Sequence, residues 1–348
     1  GDLGELQEAI RARVGPMGVR VRFEAIGYPQ YQAWVDQQGK LRYIVTLLSR
    51  QVSAEQIAQV TTVTLRHGLN IDTINRLSGR VPLDDLDRHS SACVEFSVRG
   101  APADPDAFRA DFMELSTHLE VDIAVQRDTP YRRNRRLVCF DMDSTLIESE
   151  VIDELAKVAG AGNEVAAITE AAMRGELDFN QSFTRRLALL KGLDESVLES
   201  IAQNLPLTEG AEKLIATLKK LGYKTAILSG GFDYFSRFLQ QRLGIDYVYA
   251  NQLELSGGKL TGRVSGPIVN GERKAELLTM IAKREGIALD QVIAVGDGAN
   301  DLPMLNAAGL GIAFRAKPLV KASAEHAIST LGLDAILYLL GLRDRDQL

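Results

Sequence analysis

The spacing of apolar and polar positions changes period several times along the chain, and those changes outline its elements. Leu6 to Val14 repeats its apolar residues at helical spacing, whereas Val19-Arg20-Val21-Arg22-Phe23 alternates as a strand would. Residues 1–40 therefore read as a small leader of uncertain fold. From residue 41 the pattern is more regular. Leu41–Leu48 is strand-like. Ser53-Ala54-Glu55-Gln56 is a capping box, and the helix it opens runs to about His67-Gly68. "LNIDTINRLSGR" and "SACVEFSVRG" alternate as strands, and Asp104 with Pro105 opens a second helix reaching about Leu119. Val121–Val125 is a last strand. The order β-α-β-β-α-β over 41–128 predicts a split, ferredoxin-like α+β domain.

Residues 129–136 read as a linker. The arginines of "RDTPYRRNRR" suggest a solvated connector rather than a nucleic-acid patch, because the rest of the chain is acidic. From Leu137 onward short apolar runs alternate with helical ones. Leu137–Phe140, Thr225–Leu228, Val292–Val295 and Gly311–Phe314 have the brevity and apolar continuity of buried parallel strands. Helices such as Phe232–Leu243 and Glu272–Glu285 fall between them. Residues 137–348 thus predict an α/β doubly wound parallel sheet of Rossmann-like type. The helical stretch at about 149–221 is too long for one crossover, so it predicts a helical cap over the carboxyl ends of the strands, where ligands bind in such sheets.

Bulk properties narrow the function. The 348 residues suit two domains at about 150 residues each. A net charge of −6 argues against nucleic-acid binding, which draws on a basic surface. The two cysteines, Cys93 and Cys139, sit in apolar runs and read as buried thiols, and no zinc-type Cys/His spacing exists. No apolar run approaches the ~18 residues that would suggest a membrane span. The visible start lacks an export-signal pattern, which leaves the cytoplasm as the default location.

Chemistry gathers at the strand ends. The first strand runs into Asp141-Met142-Asp143-Ser144-Thr145, the second into Ser229-Gly230-Gly231, and the third into Gly296-Asp297-Gly298-Ala299-Asn300-Asp301. Lys274 lies near the start of the helix preceding the third. A parallel sheet brings these ends to one edge. Carboxylates crowded together repel one another, and a hard cation with all-oxygen ligands, Mg²⁺, relieves the conflict. Such an ion shares phosphate oxygens with its ligands. Ser229, the Gly230 N–H and Lys274 can hold the phosphate dianion. One aspartate of the pair can attack phosphorus, and the other can move the proton.

These residues, in this order and context, resemble the haloacid dehalogenase (HAD) phosphohydrolase superfamily. "EVIDELAKVAGAGNEVAAITEAAMRGELDF", "LKGL", "SGGFDYF" and "GDGANDLPM" further resemble its phosphoserine phosphatase family, and residues 41–128 resemble an ACT domain. The resemblance implies a HAD-type core with a cap, and O-phospho-L-serine as the small-molecule substrate, hydrolysed in the last step of serine biosynthesis. It implies Asp141 as nucleophile and Asp143 as general acid/base. Asp141, the Asp143 main-chain carbonyl and Asp297 would hold one Mg²⁺ per active site, supported by Asp301. Ser229, Gly230 and Lys274 would bind phosphate. Glu150 would read the substrate ammonium and Arg186 its carboxylate, with Met173 and Phe179 as walls and Asn300 completing the pocket. No nucleic-acid or membrane partner is implied, and a homodimer through the ACT-like domain is.

Other readings are a broader phosphomonoesterase, a phosphoserine:homoserine phosphotransferase, and an amino-acid-binding regulator with an inactive catalytic half. The loop Leu48-Ser49-Arg50-Gln51-Val52 lacks the glycine common in amino-acid-binding ACT domains, so dimerisation is as plausible a role for that domain as effector binding. Gly160, Gly162 and Gly175 are candidate cap hinges or simple helix ends.

Overall fold

The computed structural model describes residues 3–18, 20–36, 41–80 and 90–347. The chain divides into two compact units, 1–40 and 41–348. The first carries helices α1 (Leu3–Val14) and α2 (Tyr28–Asp36). The strand expected at Val19–Phe23 does not form in its described part: residues 20–23 are irregular, and Val19 lies outside the described residues. Alternation alone does not make a strand where no neighbouring strand pairs with it.

The second unit opens with β1 (Arg42–Ser49), α3 (Ala54–Arg66), β2 (Asn70–Arg76), β3 (Ala92–Arg99), α4 (Pro105–His118) and β4 (Asp122–Arg127). The Ser53 hydroxyl accepts from Gln56 N–H while the Gln56 side chain accepts from Ser53 N–H, closing the predicted capping box. Asp104 caps α4, with Pro105 in its first turn. The sheet is antiparallel in the order β2-β3-β1-β4. Val45, Leu47, Val94 and Phe96 pack with Phe108 and Phe112 under the helices. The opposite face is buried too. Leu48, Cys93 and Ala124 join the core of the catalytic half, alongside Ile328 and Leu339. Residues of the predicted α+β domain therefore contribute to a shared interior.

That docking buries two arginines of the expected solvated linker, 129–136, while Arg133 and Arg136 stay exposed. Arg132 and Arg135 are only 4% and 8% exposed. Arg132 Nη2 donates to Glu95 at 2.7 Å, and Arg135 Nη1 donates to the Asp290 carbonyl at 2.8 Å. The segment is a charged clasp between the halves.

β5 (Leu137–Phe140) begins the catalytic sheet. After it come α5 (Val151–Ala159), α6 (Gly162–Met173), α7 (Phe179–Ala188), α8 (Ser196–Gln203) and α9 (Ala211–Lys220). Then follow β6 (Lys224–Phe232), α10 (Asp233–Leu243), β7 (Tyr247–Ser256), β8 (Lys259–Ser265), α11 (Gly271–Glu285) and β9 (Val292–Gly296). The chain ends with α12 (Leu302–Ala307), β10 (Leu310–Phe314), α13 (Pro318–Ser323), β11 (His326–Ile328) and α14 (Ile336–Leu339). The order is β11-β10-β9-β5-β6-β7-β8, parallel throughout except for the terminal β7–β8 hairpin.

Helices α5 to α8 fall in the expected cap stretch, and α9, with Leu214, Ile215 and Leu218 buried, packs against β6 and leads into it. Gly210, at φ +79°, turns the chain at that point, where a Cβ would collide with Asp334. The β7–β8 hairpin, missed in the sequence, supports the cap: Gly192 N–H donates to the Leu260 carbonyl at 2.8 Å. Gly160 and Gly175 have left-handed φ at the ends of α5 and α6, the geometry of helix terminators.

Candidate active site

Three strand ends and one helix build the site. β5 lies between β6 and β9, so the loops after these three strands share the sheet's carboxyl edge. Asp141 follows β5 directly, and its N–H donates to the Val295 carbonyl at 2.9 Å. Its Oδ1 accepts from the Met142 N–H at 2.7 Å and stands 2.8 Å from Lys274 Nζ. Lys274 is fully buried on the first turns of α11 and also reaches Asp301 Oδ1 at 2.7 Å. Burial alone would lower the ammonium's pKa, but Asp141 and Asp301 together raise it above its ordinary value. A single cation thus bridges the β5 loop and the β9 loop.

Asp141, Asp297 and Asp301 bring their carboxylate oxygens within 4.8 Å of one another. Burial, with the charge of Asp301, pushes Asp141 well above the usual carboxylate range. Burial, again with Asp301, moves Asp297 to about 7. One ammonium does not balance the charge of three clustered carboxyl groups. The donor set, all oxygen and excess in negative charge, suits a hard divalent cation. Asp301 therefore lies inside the acid cluster rather than behind it. Thr145, given no role from the sequence, is fully buried and donates to Asp297 Oδ1 at 3.4 Å.

Asp143 lies on the other side of the β5 loop. Its Oδ1 accepts from the Val151 N–H at 3.0 Å, which ties it to the start of the cap. Burial, and secondarily Glu150, raises its pKa well above normal. Ser144 between them has φ +56°, an unfavourable conformation for a side-chain-bearing residue that the surroundings enforce. Its hydroxyl donates to Glu150 Oε1 at 2.8 Å.

The irregular carboxyl end of β6, where residues 229–231 loop out of register with β7, faces this acid. Ser229 is fully buried, and its Oγ accepts from the Gly231 N–H at 2.9 Å. A Cβ on Gly231 would strike Asp143 Oδ2, and one on Gly230 would sit 2.8 Å from Phe179 Cζ. The two glycines therefore allow the backbone to approach both the acid and the cap. Asn251, which no local pattern marks, clamps this loop. Its amide donates to the Gly230 carbonyl and its carbonyl accepts from the Val269 N–H, both at 2.8 Å.

From the cap, α7 contributes Phe179 over Gly230, stacked on Phe183 at 5.9 Å, and Arg186. Arg186 is half-buried, and its buried Nε has no hydrogen-bond acceptor among the described residues. Burial lowers its pKa, against the pull of Glu150, Asp153 and Asp143. Met173 is not drawn into the cluster. It is 62% exposed, with its sulfur 3.5 Å from Lys317 Nζ. Asn300 lies at the β9 loop, and its backbone carbonyl abuts Gly271 at the start of α11, where a Cβ would come within 2.7 Å.

Residues 138–306 match the haloacid dehalogenase-like hydrolase family, and residues 42–126 match an ACT domain. A phosphoserine phosphatase of Streptomyces coelicolor is 47% identical over 301 residues, covering 86% of this chain and 71% of that one. A HAD family hydrolase from Salmonella enterica serovar Typhi superposes with a TM-score of 0.73 at 34% identity, covering 86% of this chain and 98% of its own. A structure of a phospho-aspartyl intermediate analogue of phosphoserine phosphatase shares 46% identity at a TM-score of 0.56, covering 59% of this chain and 98% of that one. The acid-lined strand edge and these likenesses agree: the chain belongs to the phosphoserine phosphatases of the haloacid dehalogenase-like hydrolase family.

Proposed function

We propose that the chain hydrolyses O-phospho-L-serine to L-serine and phosphate through an aspartyl-phosphate, the reaction that closes serine biosynthesis. The observation that carries the substrate choice is Arg186. A buried guanidinium nitrogen without an acceptor, within the field of Glu150, provides an amino acid's two recognition charges beside a phosphate cradle. Among the described residues the Met142 N–H and Lys274 Nζ both meet Asp141 at Oδ1, which leaves Oδ2 to attack phosphorus. The Oδ2–phosphorus bond forms as the bond to the seryl oxygen breaks, and Asp143 gives that oxygen its proton. Asp143 then takes a proton from water, whose oxygen attacks the phosphoryl group and frees Asp141. Ser229, the Gly230 N–H and Lys274 hold the phosphate oxygens. Glu150 and Arg186 hold the ammonium and carboxylate, Phe179 walls the pocket, and Asn300 completes its rim.

One Mg²⁺ fits the donor set. Asp141, Asp297 and the Asp143 carbonyl would hold it, with Asp301 in support, and it would neutralise charge on the phosphoryl oxygens. A homodimer would cover β2, the outer strand of the ACT-domain sheet. Light scattering at working concentration tests that assembly. A cytoplasmic location belongs to the same reading. Among the described residues no helix is long and apolar enough to cross a membrane.

Steady-state kinetics on a panel of phosphate monoesters tests the reaction. Phosphoserine is expected to have the highest kcat/KM, and Arg186→Met to erase that preference while sparing simple phosphate esters. Equal turnover of an unrelated sugar phosphate would refute the substrate assignment, and free transfer to homoserine would redefine the acceptor.

A further inference from the structure

Arg50 lies in the loop between β1 and α3, within the ACT domain. Its guanidinium forks onto Glu209 of the catalytic half: Nη1 donates to Oε1 and Nη2 to Oε2, each at 2.7 Å. Glu209 immediately precedes the Gly210 turn into α9. Its Oε2 also accepts from Arg315 Nη2 at 2.8 Å, and Arg315 Nη1 stands 3.6 Å from Glu148 Oε1. One carboxylate is thus shared by a guanidinium from each half, and the second of these reaches the active-site segment. Arg315 has φ +45°, a backbone state that a non-glycine residue adopts only when its neighbours enforce it.

The segment at the end of this line is the one that carries the chemistry. Glu148 lies two residues before Glu150. Its N–H donates to the Pro206 carbonyl at 3.0 Å, and the Thr208 N–H donates to the Leu146 carbonyl at 3.0 Å. Ile147 and Leu207 form an antiparallel bridge. Residues 146–148 are therefore laced along 206–208, and Glu209 is the next residue of that supporting strip. Asp143, Ser144 and Glu150 flank the laced residues and are bonded to the same stretch, through Val151 N–H and the Ser144 hydroxyl.

We propose that Arg50 is a positioning residue for the phosphatase: acting through Glu209 and Arg315, it fixes the 142–150 segment that carries the proton-transfer and ammonium-reading acids. The fork suits this task, because a bidentate guanidinium sets the orientation of a carboxylate as well as its distance. The pair is half-buried, with side chains 31% and 26% exposed, so it is less screened than a surface pair. Another ion pair across the same seam, Arg109 with Glu325, is 51% and 46% exposed and ends beside β11, away from this segment. The ACT domain is on this account part of the scaffold of the active site, and a displacement of its β1–α3 loop is felt at Asp143 and Glu150.

The inference rests on the proposed phosphoserine reaction, and wild-type turnover in the same assay tests that reaction separately. The test uses full-length Arg50→Ala, Arg50→Lys, Glu209→Gln, the Arg50→Ala/Glu209→Gln double variant and Arg109→Ala, with kcat, KM and melting temperature for each. Arg50→Ala is expected to lower kcat/KM at least about fivefold, chiefly by raising KM. Arg50→Lys, a single-point donor, should fall between it and wild type and keeps the test open if the alanine variant folds poorly. In the Glu209→Gln background, loss of Arg50 should cost less than about twofold more. Arg109→Ala should leave kcat and KM unchanged. Wild-type kinetics in Arg50→Ala and Arg50→Lys would overturn the proposal. So would an Arg50→Ala loss undiminished in the Glu209→Gln background, or an equal loss in Arg109→Ala.

Discussion

Lys274→Met removes the one ammonium that joins the β5 and β9 loops while keeping most of the side chain's length and apolar bulk. Lys274 has no solvent exposure, and its Nζ lies 2.8 Å from Asp141 and 2.7 Å from Asp301. Breaking a buried ion pair costs about 3–5 kcal/mol, because the partner charge stays behind without compensation. Here two carboxylates are left, but either can take up a proton or a cation, so about 3 kcal/mol is the reasonable expectation. For a catalytic domain of this size each kcal/mol shifts the melting temperature by about 2–4 °C, which gives a fall of about 6–12 °C. Catalysis should suffer more. Removing one preorganised donor to a developing anion costs about 10²–10³ in kcat. Lys274 orients Asp141 Oδ1 and, in the proposed reaction, also meets the phosphate. Thermal unfolding and steady-state hydrolysis, both in saturating Mg²⁺, measure the two effects. A variant melting within about 2 °C of wild type and turning over within about tenfold of it would refute the argument that this cation organises the site.

Asp122→Ala should weaken the seam between the ACT domain and the catalytic half without touching chemistry. Asp122 Oδ2 accepts from Ser329 N–H at 2.8 Å, Thr330 N–H at 2.9 Å and Thr330 Oγ1 at 2.8 Å, and stranding such buried donors costs about 1–3 kcal/mol each at most; denaturant unfolding should show a lower midpoint with kcat unchanged. Stability should fall on acidification because of His326, which is buried near Glu325, Arg109 and Arg135, and which burial pushes down from 6.5 to about 4. The unfolded state then binds the extra proton, so stability is lost as pH drops from about 6.5 to about 4, by no more than about 3 kcal/mol, and His326→Gln should flatten that slope in urea titrations at several pH values. Gly230→Ala puts a methyl 2.8 Å from Phe179 Cζ, and should cut kcat/KM by at least about tenfold with little change in melting temperature; wild-type kinetics would contradict the close approach of cap and phosphate loop.

What could be read from the sequence follows a physical divide. Asp141, Ser229 and Asp297 are legible because a parallel sheet places every strand's carboxyl end on one edge, so order along the chain predicts proximity in space. The capping box at Ser53 and the Asp104 cap are legible because their partners lie within a few residues. Arg132 and Arg135 were misread because a run of arginines looks solvated unless one knows that a second surface closes over it. Glu95 and the Asp290 carbonyl, their partners, lie 37 and 155 residues away. Asn251 is silent for the same reason: a single polar residue in unremarkable surroundings acquires a role only from the segments it meets.

The same divide says where the enzyme's control can lie. The Asp143 carboxylate is held by a short-range bond, to the first residue of α5, whereas Asp141 is held both by its neighbour Met142 and by Val295 of β9. Their relative placement depends on long-range contacts, of which Lys274 with Asp301 and Arg50 with Glu209 are the most specific in geometry. The first lies inside the catalytic half and is fully buried, so it can change only when that half loosens. The second crosses to another domain at a half-exposed loop, where rearrangement costs least. An enzyme whose acids are assembled in this way can be tuned from its ACT domain without altering a residue that touches the phosphate.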